Sequence, residues 1–226
     1  MNIRVVTGSM VEQQADMLVN SSNTFLLMGS GTAEQIRNAG GCIPSESKEY
    51  DDYWKLAGEA RGALIKVLSY IHANRPMPSV IQKECLEIVI RGNDSRELKR
   101  GDAFLTSSGD LAKLSGKAKS VAHAIAMTYD WKVQPNPPIV PATLESVRQS
   151  LEKSFEIATL FEYTSIALPI MCTRKGGLAK EVSTEATLQA LQILNSRDSK
   201  VKEAVIVLYN DELKKDVRWF EKAFRR

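Results

Sequence analysis

Short β-rich runs alternate with helical patterns along this chain, and the alternation limits the possible folds more than any other feature. The predicted strands are apolar or β-branched runs at residues 3–6, 17–19, 103–105, 121–125, 165–168 and 204–209. Between them apolar residues recur at helical intervals, most clearly over about 142–161 and again over 213–224. Strands that alternate with helices predict an α/β layered domain, and two extended runs before the first helix favour a mixed sheet.

Composition is that of an ordinary globular protein. The chain has 226 residues, 43% hydrophobic and 25% charged, which is enough for one large domain with its own core. Its 30 basic and 27 acidic side chains leave a net charge of only +3, which favours a solvated surface over a nucleic-acid footprint. No apolar stretch approaches the roughly 20 residues that span a bilayer, and no leader-like pattern opens the sequence. We therefore expect a cytoplasmic protein without membrane partners.

Cysteine usage is typical of neither a disulfide framework nor a zinc site. Cys42, Cys85 and Cys172 are odd in number and widely spaced, so reduced thiols are predicted, with no metal or other cofactor. Cys172 follows a predicted strand, but no obvious histidine partners it, which favours packing over nucleophilic chemistry. His123 lies inside a predicted strand, where a packed, hydrogen-bonded imidazole is favoured over a general base.

A glycine-bearing turn follows the second predicted strand. After residues 17–19 come Asn-Ser-Ser-Asn at 20–23 and Met-Gly-Ser-Gly-Thr at 28–32, and the two glycines let the backbone curl with its N–H groups inward. The predicted helix that follows points the positive end of its dipole at the same place, so this first loop suits an anion. It is neither a Walker loop nor a complete dinucleotide fingerprint, and a plain connection is the alternative.

A second strand, glycine turn and helix occur near the other end of the chain. The apolar run 165–168 continues through Pro169 into Met-Cys-Thr-Arg-Lys-Gly-Gly-Leu at 171–178, the second loop. In an open α/β sheet, ligands collect at the carboxyl ends of the strands. Two such loops on neighbouring strands can therefore hold one diphosphate from opposite sides.

Together these segments resemble the macro domain, an ADP-ribose-binding module. The matching segments are the asparagine pair at 20–23, the first loop with Ile-Arg-Asn-Ala-Gly-Gly at 36–41, Gly-Asp-Ala-Phe-Leu-Thr-Ser-Ser-Gly-Asp-Leu at 101–111 and Ser-Val-Ala-His-Ala at 120–124. The resemblance covers about residues 1–41 and 80–226. It implies a three-layer α/β/α sandwich with a central mixed sheet, and residues 1–226 as a single domain.

Residues from about 42 to 79 fall outside that scheme and predict an inserted helical segment. Apolar residues recur there at helical intervals, namely Tyr53, Ala57, Ala60, Leu64, Val67 and Ile71. Gly58 and Gly62 each weaken such a helix by roughly 1 kcal/mol relative to alanine. The segment either forms a lid or partner surface beside the first loop or extends the core.

The resemblance implies ligand contacts in both loops. The expected diphosphate donors are the backbone N–H groups of Gly29, Ser30, Gly31, Thr32 and Ala33 in the first loop and of Thr173, Arg174, Lys175, Gly176 and Gly177 in the second. Family members usually have glycine where this chain has Ser30, Cys172 and Arg174. A side chain at a position that prefers positive φ costs energy, so reshaped loops are expected. Arg174 and Lys175 either bind phosphate oxygens or point to solvent.

Asparagine suits a ribose, because its amide can donate to one hydroxyl and accept from the other. By resemblance, Asn23 contacts the distal ribose and, in hydrolytic members, helps to place substrate or water. Asn20, which also falls among the expected ligand contacts, is expected mainly to brace the loop. The alternative for both is that they cap the turn after the strand.

The adenine end departs most from the family pattern. Many members have Gly-Asp-Ile where this chain has Gly8, Ser9 and Met10, and their aspartate accepts from the adenine amino group. A serine hydroxyl discriminates less than a carboxylate, so adenine selectivity is expected to fall. Tyr209 matches an aromatic residue that stacks on the base, with Asn210 as its polar neighbour, although an aromatic end to a buried strand is the alternative.

Three functions follow, in order of preference. The first is a binding module for ADP-ribose or a related nucleotide diphosphate, with ADP-ribose or an ADP-ribosylated protein as partner. The second is a mono-ADP-ribosyl hydrolase or O-acetyl-ADP-ribose deacetylase acting through Asn23 and an ordered water. Ala33 stands where one hydrolytic branch has an aspartate, so slow or absent turnover is expected. The third is a divergent site for another phosphorylated ligand or nucleic acid, and the oligomeric state stays open.

Overall fold

A computed structural model describes residues 1–60, 78–92, 98–130, 132–133, 138–209 and 211–224. Its strands are β1 (Asn2–Thr7), β2 (Met17–Asn23), β3 (Ala103–Ser107), β4 (Ser120–Tyr129), β5 (Ile139–Val140), β6 (Ser165–Pro169) and β7 (Glu203–Leu208). Its helices are α1 (Gly31–Ala39), α2 (Lys48–Gly58), α3 (Val80–Gly92), α4 (Leu111–Ser115), α5 (Leu144–Leu160), α6 (Lys180–Ser196), α7 (Asp211–Lys214) and α8 (Val217–Phe224). None of the helices in these ranges has the length and apolar character that a membrane crossing needs.

The seven strands of the described chain form a mixed sheet. Six of them lie in the order β1-β7-β6-β2-β4-β3, and β5 pairs with β4. Pairing is parallel from β1 through β7, β6 and β2 to β4, whereas β3 and β5 run antiparallel to β4. The prediction of a mixed sheet is confirmed, and the carboxyl ends of β2, β4, β6 and β7 meet at one edge.

Helices cover both faces of this sheet. On one face, Leu18 of β2 belongs to the same buried cluster as Ile36 of α1 and Leu86 of α3. On the other, Val19 belongs to the same cluster as Phe155 of α5. Because successive side chains of a strand point to opposite faces, the uninterrupted apolar run 17–19 supplies both cores. The predicted α/β/α sandwich is confirmed.

The two longest helical patterns near the C-terminal end have different outcomes. Helix α5 lies within the predicted range and starts at a reciprocal cap, in which Thr143 Oγ1 accepts from Ser146 N–H and Ser146 Oγ accepts from Thr143 N–H. The pattern over 213–224 is two helices, α7 and α8. The chain turns between them at Asp216, which pairs with Lys180 of α6. The apolar residues before and after this turn pack on the same side of the sheet, so apolar spacing alone does not reveal that the helix is interrupted.

The predicted insertion is described only in part. Its ends meet in an isolated antiparallel bridge between Cys42 and Ser79. Helix α2 lies within it and places Tyr53 and Leu56 in the buried cluster that also contains residues of α3. Residues 61–77, with the later positions of the helical stripe, lie outside the described residues, so the extent of the segment stays a prediction.

Candidate functional site

A cavity of about 340 Å³ lies at the carboxyl edge of the sheet, between the two glycine loops. The end of β2 and the first loop contribute Ser21, Ser22, Asn23, Leu27, Gly29, Ser30, Gly31, Thr32 and Ala33. The other strand ends and the second loop contribute Met127, Tyr129, Pro169, Ile170, Cys172, Thr173, Arg174, Lys175, Gly176 and Tyr209. Loops from opposite ends of the chain therefore enclose one space.

The first loop meets the cavity at the start of α1. Gly31 has φ of +63°, the left-handed region that favours glycine. A Cβ at Gly31 would also lie 3.1 Å from Oη of Tyr209, so the backbone and its neighbour both disfavour a side chain. Ser30 has φ of −168° and is simply extended, so it carries none of the strain expected at that position. The first N–H groups of α1 have no partner within the helix, which leaves donors at the cavity wall.

Two buried side chains hold the first loop in place. The Oε1 atom of Gln82, on α3, accepts from Met28 N–H at 2.9 Å, and its Nε2 donates to Leu26 O at 3.2 Å. Arg37 Nη1, on α1, donates to Met28 O at 3.1 Å, and burial lowers the pKa of this guanidinium. Leu26 has φ of +54°, a conformation that these bonds help to maintain. Sequence analysis predicted neither contact: Gln82 lies in no motif, and Arg37 lies in the matching segment 36–41 but was given no role of its own.

Asn23 lines the cavity, but most of the hydrogen bonds of its side-chain amide are made to the backbone of its own turn. Its Nδ2 donates to Leu27 O at 2.8 Å, and its Oδ1 accepts from Phe25 N–H at 3.1 Å and from Leu27 N–H at 3.3 Å. An amide oxygen has two lone pairs, and both are occupied here. The turn-capping alternative therefore describes the bonds of Asn23, and its oxygen is not available to accept from a ribose hydroxyl.

Asn20 is fully buried and does not line the cavity. Its Nδ2 is 3.1 Å from Nδ1 of His123, whose Nε2 is 2.9 Å from Oγ1 of Thr106. Because an amide nitrogen can only donate, Nδ1 of His123 is the acceptor and the ring proton sits on Nε2. Burial lowers the pKa of His123 to about 3, so the imidazole is neutral. The packed imidazole favoured by the sequence is the arrangement observed.

The second loop is shaped by a close approach between Cys172 and Gly176. A Cβ on Gly176 would lie 2.3 Å from Cβ of Cys172, so no larger residue fits there without a backbone shift. Cys172 has φ of +60°, so the strain expected in this loop does occur at this residue. Its Sγ lies 3.4 Å from Oγ of Ser21, which links the second loop to the end of β2.

The charged and ionisable groups at the cavity are few. Burial raises the pKa of the Cys172 thiol to about 11, so it is protonated at neutral pH and unsuited to nucleophilic attack. Arg174 and Lys175 are exposed residues of the lining, and the choice between phosphate binding and solvent stays a prediction. Among the described residues, no three His, Cys, Asp or Glu side chains are grouped to hold a metal ion.

Of the residues expected at the adenine end, one lines the cavity and two do not. Ser9 precedes a 3₁₀ turn, Met10–Glu12, and its carbonyl accepts from Gln13 Nε2 at 2.7 Å. Met10 is fully buried in the core, and neither it nor Ser9 lines the cavity. Tyr209 does line the cavity, beside Gly31. Asn210 lies outside the described residues.

Several lining residues were not expected. Of the second-loop residues, Gly177 is absent from the lining, and its N–H donates to Arg174 O at 3.0 Å. The lining residues that were not expected as ligand contacts are Ser21, Ser22, Leu27, Met127, Tyr129, Pro169, Ile170 and Cys172. Most of them stand at or just beyond the ends of β2, β4 and β6, so the strand order, had it been known, would have identified them.

Comparisons with known proteins agree on one family. A family model described as Macro domain matches residues 66–187, more than half of the chain. A macro domain-containing protein of Listeria monocytogenes is 25% identical over 214 residues, which cover 94% of this chain and 92% of that protein.

Solved structures with the same fold include macrodomains with bound nucleotides. The Oceanobacillus iheyensis macrodomain with ADP has a TM-score of 0.61 at 19% identity, covering 98% of this chain and 88% of that one. The Trypanosoma brucei macrodomain in complex with ADP-ribose has a TM-score of 0.60 at 15% identity, covering 98% of this chain and 67% of that one. At these identities the likeness establishes the fold.

Proposed function

The chain belongs to the macro domain family, and we propose that it binds ADP-ribose, free or attached to a protein, in the cavity between its two glycine loops. The observation that carries the proposal is the meeting of both loops on one cavity of about 340 Å³. Small-molecule sites typically measure roughly 300–1,000 Å³. The macrodomains solved with ADP and with ADP-ribose support this choice of ligand.

The diphosphate is proposed to lie between the start of α1 and the second loop. A helix N-terminus offers N–H donors and a positive partial charge, and both favour an anion. Arg174 and Lys175, exposed at the cavity, add positive charge on the opposite side. Bonds to phosphate are charge-assisted and therefore stronger than neutral ones.

The base is proposed to stack on Tyr209, which lines the cavity. Base–aromatic stacking contributes about 1–3 kcal/mol and tolerates any base. Ser9 and Met10 do not line the cavity, so a side-chain contact to the adenine amino group is not expected from them. We expect weak discrimination between adenine and other bases.

Binding with slow or absent turnover is preferred over hydrolysis. Ala33, which supplies no carboxylate, lines the cavity, and both lone pairs of Asn23 Oδ1 are occupied by backbone N–H groups. His123 is buried and neutral, and the Cys172 thiol is protonated. Hydrolysis or deacetylation through Asn23 and an ordered water is the alternative. It requires the remaining N–H of Asn23 to place the water without a carboxylate base.

Calorimetry with ADP-ribose, ATP and a short oligonucleotide tests the ligand. Saturable heat with ADP-ribose, and none with the oligonucleotide, is the expected result. Heat with the oligonucleotide alone would favour a divergent nucleic-acid site and overturn the proposal. An assay of ADP-ribose release from a modified protein tests turnover. Rapid release by the wild-type chain would show that the site is a hydrolase.

A further inference from the structure

The hydroxyl of Tyr209 lies against the first loop. Tyr209 directly follows β7, is half-buried and lines the cavity. A Cβ built on Gly31 would lie 3.1 Å from Oη of Tyr209 and 4.0 Å from its Cζ, so the hydroxyl is the part of this side chain nearest to the loop. Among the described residues Oη has no hydrogen-bond partner. The phenolic O–H is therefore available to a ligand.

The separation between this hydroxyl and the start of α1 suits one bridging atom. A Cβ lies about 2.5 Å from the N atom of its own residue, so Oη of Tyr209 lies at most about 5.6 Å from N of Gly31. Hydrogen bonds of about 2.9 Å to a backbone N–H and about 2.7 Å to a hydroxyl together span that separation. Gly31 is the first residue of α1, so its N–H has no acceptor within the helix. One ligand oxygen can therefore accept from both groups.

The charge of the cavity favours an anionic oxygen at this place. No aspartate or glutamate is among the described residues that line the cavity, whereas Arg174 and Lys175 are exposed on the second loop. The start of α1 adds the positive end of a helix dipole. Hydrogen bonds to an ionised acceptor are roughly twice as strong as neutral ones. A phosphate oxygen is thus a better acceptor here than a neutral hydroxyl or a ring nitrogen.

We propose that Tyr209 donates its O–H to the phosphate nearest the base, in addition to stacking on the base. This inference rests on the proposed function and extends it. The base contacts the face of the ring, while Oη projects from the ring edge toward Gly31, so one side chain makes both contacts. Tyr209 thereby selects nucleotides with a 5′-phosphate over nucleosides that carry the same base.

The test compares ADP-ribose and adenosine, which has the base but no phosphate, on the wild type, Tyr209→Phe and Tyr209→Leu. Calorimetry measures ADP-ribose, and an NMR titration measures the weaker ligand adenosine. Tyr209→Phe keeps the ring, so ADP-ribose is expected to bind about 10- to 100-fold more weakly, while the affinity for adenosine changes by less than about twofold. Tyr209→Leu also removes stacking and is expected to weaken both ligands.

The same substitution at Tyr163 is the matched control. Oη of Tyr163 accepts from Oγ of Ser120 at 3.0 Å, and neither residue lines the cavity. Tyr163→Phe is expected to lower Tm and to leave both affinities unchanged. Tyr209→Phe is expected to keep the wild-type Tm, because no hydrogen bond within the described protein is lost.

The remaining outcomes overturn the inference. Wild-type affinity of Tyr209→Phe for ADP-ribose would show that the hydroxyl makes no bond to the ligand, and tighter binding would show that it occupies the position of the anion. Equal losses for ADP-ribose and adenosine would place the contact at the base or its ribose, and a lower Tm of Tyr209→Phe would mean that the hydroxyl supports the fold. Failure of the wild-type chain to bind ADP-ribose is a separate result, which defeats the proposed function itself.

Discussion

A carboxylate at Gly29 should greatly weaken binding of a diphosphate while leaving the fold intact. Gly29 lines the cavity, a Cβ built on it meets no atom within 4 Å, and its φ lies outside the region that favours glycine. Gly29→Glu is therefore expected to fold with a Tm close to that of the wild type. Gly31 is a poorer site for this test, because its φ is positive and Tyr209 is close.

The expected penalty follows from Coulomb repulsion. Two unit charges about 6 Å apart repel by about 3 kcal/mol at an effective dielectric constant of about 20, which corresponds to roughly 100-fold weaker binding. Gly29→Gln has nearly the same shape without the charge and is the matched control. The repulsion is partly screened by salt, so the difference between the two variants should narrow as ionic strength rises.

Calorimetry with ADP-ribose at two salt concentrations measures both effects. The expected order of affinity is wild type, then Gly29→Gln, then Gly29→Glu, with the largest gap between the last two at low salt. Equal affinities of the glutamate and glutamine variants would show that no phosphate lies near the first loop. That result would refute the proposed placement of the diphosphate even if ADP-ribose still bound elsewhere.

Two further predictions concern side chains that support the site and the sheet. Gln82→Leu should weaken ADP-ribose binding about fivefold or more and lower Tm, because Met28 N–H and Leu26 O lose their partner. Gln189→Leu, on the outer part of α6, is the control. An unchanged affinity of Gln82→Leu for ADP-ribose would mean that the first loop keeps its shape without the Gln82 hydrogen bonds. Burial would raise the pKa of the Asp16 carboxyl, but hydrogen bonds from Thr164, Lys119 and Ser165 outweigh it and hold that pKa well below the ordinary value. The stability that Asp16 contributes should thus be fully present above about pH 4 and be lost as pH falls below it. Asp16→Asn should lower the free energy of unfolding by about 2–4 kcal/mol at pH 7 and remove this acid dependence, whereas the exposed control Asp198→Asn should change neither. An Asp16→Asn chain as stable as the wild type at pH 7 would contradict this role of Asp16.

The sequence predicted those features that depend on local pattern. Apolar runs located the six long strands, and two glycine turns after strands predicted loops that meet at one edge of the sheet. The two-residue strand β5 was missed because so short a run carries no periodic signal. The single helix expected at the C-terminal end is two helices, since apolar spacing continues across the turn at Asp216.

The bonding of the site residues could not be predicted, because it depends on contacts distant in the chain. Gln82 is far from Met28 in sequence, and nothing in its helix distinguishes it from a surface glutamine. The resemblance implied a ribose contact for Asn23, but the fold of the following turn takes up its oxygen.

Asp16 fastens the amino ends of β2 and β6, where it accepts from Thr164 and Ser165, while the cavity opens at the carboxyl ends of the same strands. The seven residues of β2 separate these places by about 20 Å. Substitutions in the glycine loops therefore lie far from the hydrogen bonds of Asp16 that stabilise the sheet. Ligand preference can thus change by substitution at the carboxyl ends of the strands without loss of the stabilising contacts at their amino ends.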